Sequence, residues 1–247
     1  MLDVQAVMGT MVGVDVRDAD ERAAGATRAV FAWLRDVDAG FSPCREDSEV
    51  RRLDRGELAL ADGSPDLRYV LGRCDALRAE TAGAFDARAH GRLDPSAFVK
   101  GWAVERAARI LAAHGIRRYC VNAGGDVRVG GGPAPGAGWR VGIRHPLLAD
   151  RIAAVVAVED GAVATSGTYE RAAHILDARH GRRPEGVLSI TVVGPDLGVA
   201  DAYSTAAFAM GRDGIGWLAS VPGYAGLAIH EDATMIATAG FDALRVD

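Results

Sequence analysis

Segments with the composition of β-strands follow one another through the second half of the chain. They are short, rich in β-branched residues and bounded by Gly or Pro, and they occupy residues 119–122, 126–129, 139–144, 153–158 and 188–193. Helical patterns dominate the first half. Because helices followed by consecutive strands favour α+β over a doubly wound fold, we expect an α+β architecture with a mainly antiparallel sheet packed with helices.

Capping residues and glycines mark the predicted helix boundaries. A helix over 18–38 has apolar residues at helical spacing. Ser64-Pro65 begins a helix that runs to about residue 81, and another begins near Pro95 or Ser96 and ends before Gly115. Further elements are predicted at 12–16, 49–53, 199–210, 215–220, 226–230 and 235–239. The Gly- and Pro-rich stretch 130–138 is predicted to be a hairpin loop, since strand patterns flank it closely.

The composition excludes several classes of protein. The chain has 247 residues, 49% of them hydrophobic, and we expect a single domain over residues 1–247. A net charge of −5 gives no general reason to bind nucleic acid or an acidic membrane surface. Three widely spaced cysteines predict reduced thiols rather than a disulfide framework.

No segment has the pattern of a targeting or membrane-spanning sequence. The N-terminus lacks a basic segment followed by an apolar one, and the longest wholly apolar run, 152–158, is far shorter than the ~20 residues that span a bilayer. The sequence as given therefore predicts a cytoplasmic protein with no transmembrane segment. An exported form would require a leader removed from the given sequence.

The single lysine of the chain lies in a segment that could bind an anion. Among 28 basic residues only Lys100 is a lysine, and it follows Asp94, at a predicted helix start, by about a turn and a half. Free N–H groups at a helix start attract anions, and the lysine adds a positive charge. A capping Asp and a solvated Lys would explain the same residues.

Asp201 and Thr205 are spaced four residues apart and so share one face of a predicted helix. A carboxylate and a hydroxyl in this arrangement supply half of a hard-cation site of the Mg²⁺ type, which retains waters and phosphates. The alternative is a Thr that bonds back into its own helix beside a capping Asp.

Two more polar segments are candidates for a ligand site. The stretch 122–126 has paired glycines, which let a backbone approach a ligand or form a plain tight turn. The stretch 164–171, followed by His174 and Asp177, is typical of a polar pocket wall, although His174 by itself is more typical of an ordinary loop histidine.

Taken in order along the chain, these segments resemble the ApbE family of FAD:protein FMN transferases. The resemblance covers nearly the whole sequence. It is carried by Met8-Gly-Thr10, Phe41-Ser-Pro43, Asp47-Ser-Glu49, Gly83-Ala-Phe-Asp86, the stretch 94–104 with Lys100-Gly101, the stretch 122–126, Thr165-Ser-Gly167, His174-Ile-Leu-Asp177 and Asp201 through Thr205.

The resemblance implies a set of site residues. The backbone carbonyl of Ala97, with Asp201 and Thr205, would hold Mg²⁺ or Mn²⁺, and His174 would accept the proton of an acceptor hydroxyl. The residues implied at the FAD site are Met8, Cys44, Ala84, Phe85, Asp86, Asp94, Lys100 and Ile175.

This chain departs from the usual family pattern at three places. Cys44 stands where the family usually has a Tyr that stacks on the ligand. Seven residues separate Asp86 from Asp94, where members usually have a longer insert. Ala178 replaces a Pro, and the loop before His174 is shortened.

The resemblance implies a transferase that moves FMN from FAD to a Thr or Ser hydroxyl of an acceptor flavoprotein, with Mg²⁺ as cofactor and AMP as leaving group. Two alternatives use the same site. A FAD pyrophosphatase would use water in place of the acceptor, and a non-catalytic carrier would only bind FAD.

Overall fold

The computed structural model describes residues 1–18, 21–148, 150–168 and 175–246. The α-helices in these ranges are α1 (Arg22–Phe41), α2 (Glu49–Asp54), α3 (Pro65–Glu80), α4 (Ser96–Ala113), α5 (Leu197–Ala209), α6 (Gly214–Leu218) and α7 (Ala239–Asp242). The strands are β1 (Leu2–Val7), β2 (Thr10–Val16), β3 (Tyr119–Ala123), β4 (Asp126–Gly130), β5 (Trp139–Arg144), β6 (Ile152–Val158), β7 (Gly161–Gly167), β8 (Val187–Gly194), β9 (Ala225–His230), β10 (Met235–Ala237) and β11 (Arg245–Val246).

The strands form two antiparallel sheets. The large sheet has the order β1-β2-β3-β4-β7-β8-β9-β10, and the small sheet has the order β11-β6-β5. Neighbouring strands run antiparallel in both sheets. The predicted α+β fold with a mainly antiparallel sheet is confirmed.

The large sheet is packed on both faces. Helices α1, α4 and α5 cover one face, where Leu111 and Ile190 belong to one apolar core. The small sheet contributes to a second core on the other face, where Trp139 joins Leu227. Every residue of β9 is buried, because other elements cover both faces of the sheet at this strand. Strand β9 therefore lacks the alternation of buried and exposed residues that is typical of a half-exposed strand.

Local capping explains where the central helices begin. Ser64 Oγ accepts a hydrogen bond from the N–H of Leu67 at 3.1 Å, and Pro65 follows as the first residue of α3, as predicted. Asp196 caps α5 in the same way, through the N–H of Val199 at 3.0 Å. Helix α1 begins four residues later than predicted and extends to Phe41.

The prediction of a hairpin loop at 130–138 is wrong. Strand β4 pairs with β7, and β5 pairs with β6, so this stretch leads from the large sheet to the small one. Consecutive strands pair or neighbour each other only about two-thirds of the time. The glycines and prolines indicate where a strand ends, but they do not specify which strands pair.

Sequence patterns also missed β1, β7, β11 and α7. Strand β7 matters most, because residues 164–167, predicted as the start of a polar pocket wall, form the second half of this nearly buried strand under α5. Its small residues have weak strand propensity, and they let the helix approach closely. None of the described helices combines the length and the hydropathy of a membrane span.

Candidate active site

Helices α4 and α5 approach each other closely at two glycines. A Cβ on Gly101 would lie 2.4 Å from the carbonyl oxygen of Leu197 and 2.9 Å from the Cα of Gly198. A Cβ on Gly198 would lie 3.0 Å from Phe98. Only residues without side chains allow this separation, which brings the first turns of both helices together.

The close approach places Asp201 against the first turns of α4. Asp201 is 3% exposed, and its Oδ2 accepts a hydrogen bond from the backbone N–H of Gly101 at 3.1 Å. In a regular α-helix that N–H points at the carbonyl of Ala97, four residues earlier. The Asp201 carboxylate therefore accepts from the N–H whose regular helical partner is the carbonyl of Ala97, another of the residues implied as cation ligands.

Lys100 lies between two buried carboxylates. Its Nζ is 2.6 Å from Oδ2 of Asp126 and 3.9 Å from Oδ1 of Asp201. Asp126 is 1% exposed, and its Oδ1 accepts from the N–H of Thr165 at 3.1 Å. The sequence singled out the segment 122–126 but assigned Asp126 no role, although an acid directly after paired glycines was the available signal.

Lys100, Asp126 and Asp201 form a charged cluster, and hydroxyl groups line its β7 side. Ser166 Oγ lies 2.9 Å from Ser204 Oγ and 3.4 Å from Thr205 Oγ1. The hydroxyl that bonds back into α5 is that of Ser204, which donates to the carbonyl of Asp201 at 2.9 Å. Thr205 is half-buried and faces Ser166. The sequence placed Ser166 and Ser204 in candidate segments but assigned neither residue a role.

The turn that contains Met8 lies at the same end of the sheet. Met8 has a φ of 55°, and together with Gly9 it forms the β1–β2 turn. The N–H of Gly124 donates to the carbonyl of Met11 at 3.2 Å, so this turn adjoins the glycine turn that precedes Asp126. Three predicted segments, at 8–10, 122–126 and 165–167, thus meet beside α4 and α5.

The Ala84-Phe85-Asp86 segment follows α3. Ala84 and Phe85 are buried, and the N–H of Phe85 donates to Thr81 Oγ1 at 3.0 Å. Asp86 accepts from Arg78 Nε at 2.9 Å and from the N–H of Arg88 at 2.8 Å. A groove of about 480 Å³ runs past it, lined by Leu53, Leu60, Leu71, Cys74, Asp75, Arg78, Asp86, Ala87, Arg88 and Leu93.

The other residues implied at the FAD site lie on separate loops with local partners. Cys44 is exposed, and its N–H donates to Ser42 Oγ at 3.3 Å. Asp94 precedes α4 and accepts from the N–H and the hydroxyl of Ser96. Ile175 is half-buried against the main core.

His174 lies outside the described residues, but the segment after it is described. Asp177 accepts from Arg179 Nε and Nη2, both at 2.8 Å. These side-chain hydrogen bonds outweigh burial and lower the pKa of Asp177. The Asp177–Arg179 ion pair is therefore a local contact within the segment that follows His174.

A buried ion pair connects the secondary-structure elements that carry the cluster. Glu105 on α4 accepts from Arg128 Nε at 2.9 Å and from the N–H of Leu197 at 3.1 Å. Arg128 on β4 also donates to Asp160 at 2.7 Å. One carboxylate thus joins the three elements that carry Lys100, Asp126 and Asp201, a role that no sequence pattern indicated.

The cluster has the donor chemistry of a hard-cation site. The described residues include no group of three or more His, Cys, Asp or Glu side chains arranged to hold a metal ion. The Asp201 carboxylate, the Thr205 hydroxyl and the Ala97 carbonyl offer oxygen alone. Such a set fits a cation that takes few protein ligands and completes its shell with waters and phosphate oxygens, as Mg²⁺ does.

Comparisons with known proteins agree on one family. A sequence model described as the ApbE family matches residues 8–91 and 87–227. A Rhodobacter capsulatus protein named FAD:protein FMN transferase is 37% identical over 220 residues, which are 85% of this chain and 39% of that protein. A Treponema pallidum protein of the same name is 31% identical over 249 residues, covering 89% of this chain and 68% of its own length.

Solved structures share the fold across the whole chain. The ApbE protein of Thermotoga maritima matches with a TM-score of 0.88 at 23% identity, covering 100% of this chain and 99% of that one. The flavin transferase ApbE of Vibrio cholerae matches with a TM-score of 0.85 at 22% identity, covering 99% and 98%. The present chain spans about two-fifths of the length of the Rhodobacter capsulatus relative.

Proposed function

The chain belongs to the ApbE family, and from this premise we propose that it is a transferase that moves FMN from FAD to a Thr or Ser hydroxyl of an acceptor flavoprotein. The acceptor oxygen forms a bond to the phosphorus of the FMN half. The bond from that phosphorus to the AMP oxygen breaks, and AMP leaves. The observation that carries the proposal is the position of Lys100 between two buried carboxylates, next to an oxygen-only donor set.

The proposed cation ligands are the Ala97 carbonyl, Asp201 and Thr205. A bound Mg²⁺ would neutralise charge on the FAD diphosphate and on the departing AMP. The Gly101 N–H fixes Oδ2 of Asp201, and Thr205 is one helical turn further along the same face. Mn²⁺ prefers similar oxygen ligands and should substitute for Mg²⁺.

Lys100 is the proposed source of positive charge from the protein at the FAD diphosphate. The Lys100 side chain is 29% exposed and its ammonium contacts the buried Asp126, so we expect a phosphate group to approach the lysine from its solvent side. A fixed cation at this point stabilises the charge that develops on the leaving phosphate. Asp94 stands directly before the same helix, where it can orient the ligand.

His174 is the proposed base. A neutral threonine hydroxyl is a poor nucleophile, and an imidazole with an ordinary pKa of about 6.5 can accept its proton near neutral pH. Met8, Cys44, Ile175 and the Ala84-Phe85-Asp86 segment are the proposed contacts to the two halves of FAD.

We further propose that residues 1–247 act as one domain. Strands of the large and the small sheet line a common core, so separating the two sheets would expose Trp139 and Leu227 together. The active-site cluster depends on the large sheet and on α4 and α5.

The test is a flavinylation assay with FAD, Mg²⁺ and an acceptor protein that carries a Thr or Ser flavinylation site. The transferase should give a fluorescent acceptor band on a denaturing gel, in equal amount to AMP. AMP without the band identifies a FAD pyrophosphatase, and bound FAD with neither product identifies a carrier; either result contradicts the proposal.

The variant Asp201→Asn tests the proposed cation site in the same assay. The change keeps the shape of the side chain but removes the charge that the cation needs, so transfer should fall by about 10²-fold or more. Asp66→Asn is the matched control, since Asp66 forms an exposed ion pair with Arg106 and lies on α3, outside the cluster. Equal activities of the two variants would contradict the proposed cation site.

A further inference from the structure

The carboxylate of Asp201 lies close to the Lys100 ammonium, and it is also a proposed ligand of the cation. Lys100 Nζ is 3.9 Å from Oδ1 of Asp201, the residue proposed to bind the cation. A lysine ammonium and a divalent cation repel each other, and both are attracted to Asp201. Something must keep Lys100 from neutralising Asp201 if the cation is to bind there.

Asp126 has the position and the charge to do so. Its Oδ2 is 2.6 Å from Lys100 Nζ, much closer than Asp201 is. The Asp126 carboxylate is 1% exposed, so solvent and salt screen this attraction weakly.

The backbone fixes Asp126 in place. Oδ1 of Asp126 accepts from the N–H of Thr165, which belongs to the neighbouring strand β7. Asp126 is also the first residue of β4, directly after the glycine turn. A carboxylate held in this way cannot follow Lys100 towards Asp201.

We propose that Asp126 is a positioning residue that holds the Lys100 ammonium away from Asp201, so that Lys100 and a divalent cation occupy one site together. The inference rests on the proposed function, because it takes Asp201 as the cation ligand. Without the Asp126 charge, the ammonium moves to Asp201 and competes with the cation. Asp126 therefore acts on metal affinity only through Lys100.

The test measures Mn²⁺ affinity directly, from the electron paramagnetic resonance signal of free Mn²⁺. The full chain is titrated with Mn²⁺ in the absence of nucleotide, because a free diphosphate would itself bind Mn²⁺ and remove the signal. Asp126→Asn removes the charge and keeps an oxygen that can accept from Thr165. It should weaken Mn²⁺ binding about tenfold or more. The control Asp66→Asn, which makes the same change in net charge, should bind Mn²⁺ as the wild type does.

A double variant separates the proposed role from a merely structural one. Lys100→Met removes the competing ammonium, so adding Asp126→Asn to it should change Mn²⁺ affinity by less than about threefold. An equally large loss in the Lys100→Met background would overturn the proposal, as would wild-type affinity of Asp126→Asn alone. If either single variant does not fold, the double variant decides, because it leaves no unpaired buried charge. Mn²⁺ affinity no weaker than that of the wild type supports the proposal, and a tenfold loss overturns it.

The wild type distinguishes this inference from the function on which it rests. A wild-type chain that binds no Mn²⁺ and transfers no FMN overturns both. A wild type that binds Mn²⁺ and transfers FMN, with an Asp126→Asn variant of unchanged affinity, overturns only the role of Asp126.

Discussion

The backbone N–H of Gly101 donates to Oδ2 of Asp201 at 3.1 Å, although the two residues are 100 positions apart in the chain. The contact forms because Gly101 faces Gly198 where α4 and α5 cross. The geometry of the candidate site thus depends on the absence of side chains at these two glycines.

We predict that Gly101→Ala destabilises the protein and impairs transfer. The new Cβ would lie 2.4 Å from the backbone carbonyl of Leu197, so the two helices must separate. Overpacking of this kind typically lowers the free energy of unfolding by about 1–3 kcal/mol. Urea unfolding and the flavinylation assay measure the two effects.

Gly72→Ala is the control for that prediction. Gly72 also lies inside a helix, α3, but a Cβ there would meet no atom within 4 Å. Alanine has the higher helix propensity by up to about 1 kcal/mol, so stability should stay equal or rise. If both alanine variants behave alike, the helix crossing does not depend on Gly101.

Glu105→Ala should be strongly destabilising. It leaves the Arg128 side chain, which is 11% exposed, without its buried partner, and it also removes the acceptor for the N–H of Leu197. Breaking a buried ion pair from one side typically costs about 3–5 kcal/mol. Chemical denaturation measures the loss.

The exposed pair Arg106–Asp66 provides the comparison for Glu105. Asp66→Asn should change stability by less than about 1 kcal/mol, because water and salt screen an exposed pair. A Glu105→Ala variant as stable as Asp66→Asn would show that the buried pair does not hold α4, β4 and α5 together.

His174→Ala should separate binding from chemistry. Loss of a general base typically slows a reaction by about 10²–10⁴-fold, whereas FAD binding does not require the proton acceptor. Single-turnover transfer rates and quenching of flavin fluorescence measure the two properties. His114→Ala, at the far end of α4 from Lys100, should transfer FMN normally. The role proposed for His174 is refuted by a variant with the parent transfer rate.

Alkylation should distinguish Cys44 from the other two cysteines. Burial raises the pKa of Cys74 to about 12 and that of Cys120 to about 11, so neither forms a reactive thiolate near neutral pH. Cys44 is exposed, and iodoacetamide should modify it first. Peptide mass spectrometry identifies the modified site.

The same experiment tests the proposed position of Cys44 beside FAD. Saturating FAD should slow alkylation of Cys44 while leaving an unfolded control unaffected. Unchanged labelling in the presence of bound FAD would place the flavin elsewhere.

The sequence alone determined the features that depend on near neighbours in the chain. The start of α3 follows from Ser64 and Pro65, because capping and a fixed φ act within one turn. The shared face of Asp201 and Thr205 follows from helical spacing. The succession of helical and then strand-like segments was enough to predict an α+β fold.

Only the tertiary structure decided which distant segments meet. The pairing of β4 with β7, the Lys100–Asp126 contact and the Glu105–Arg128 pair join residues far apart in the chain. Their sequence neighbourhoods have no periodicity that specifies a partner, since small residues such as those of β7 are compatible with several conformations. Packing on both faces of the large sheet selects one arrangement, and the charges of the site are placed by that packing.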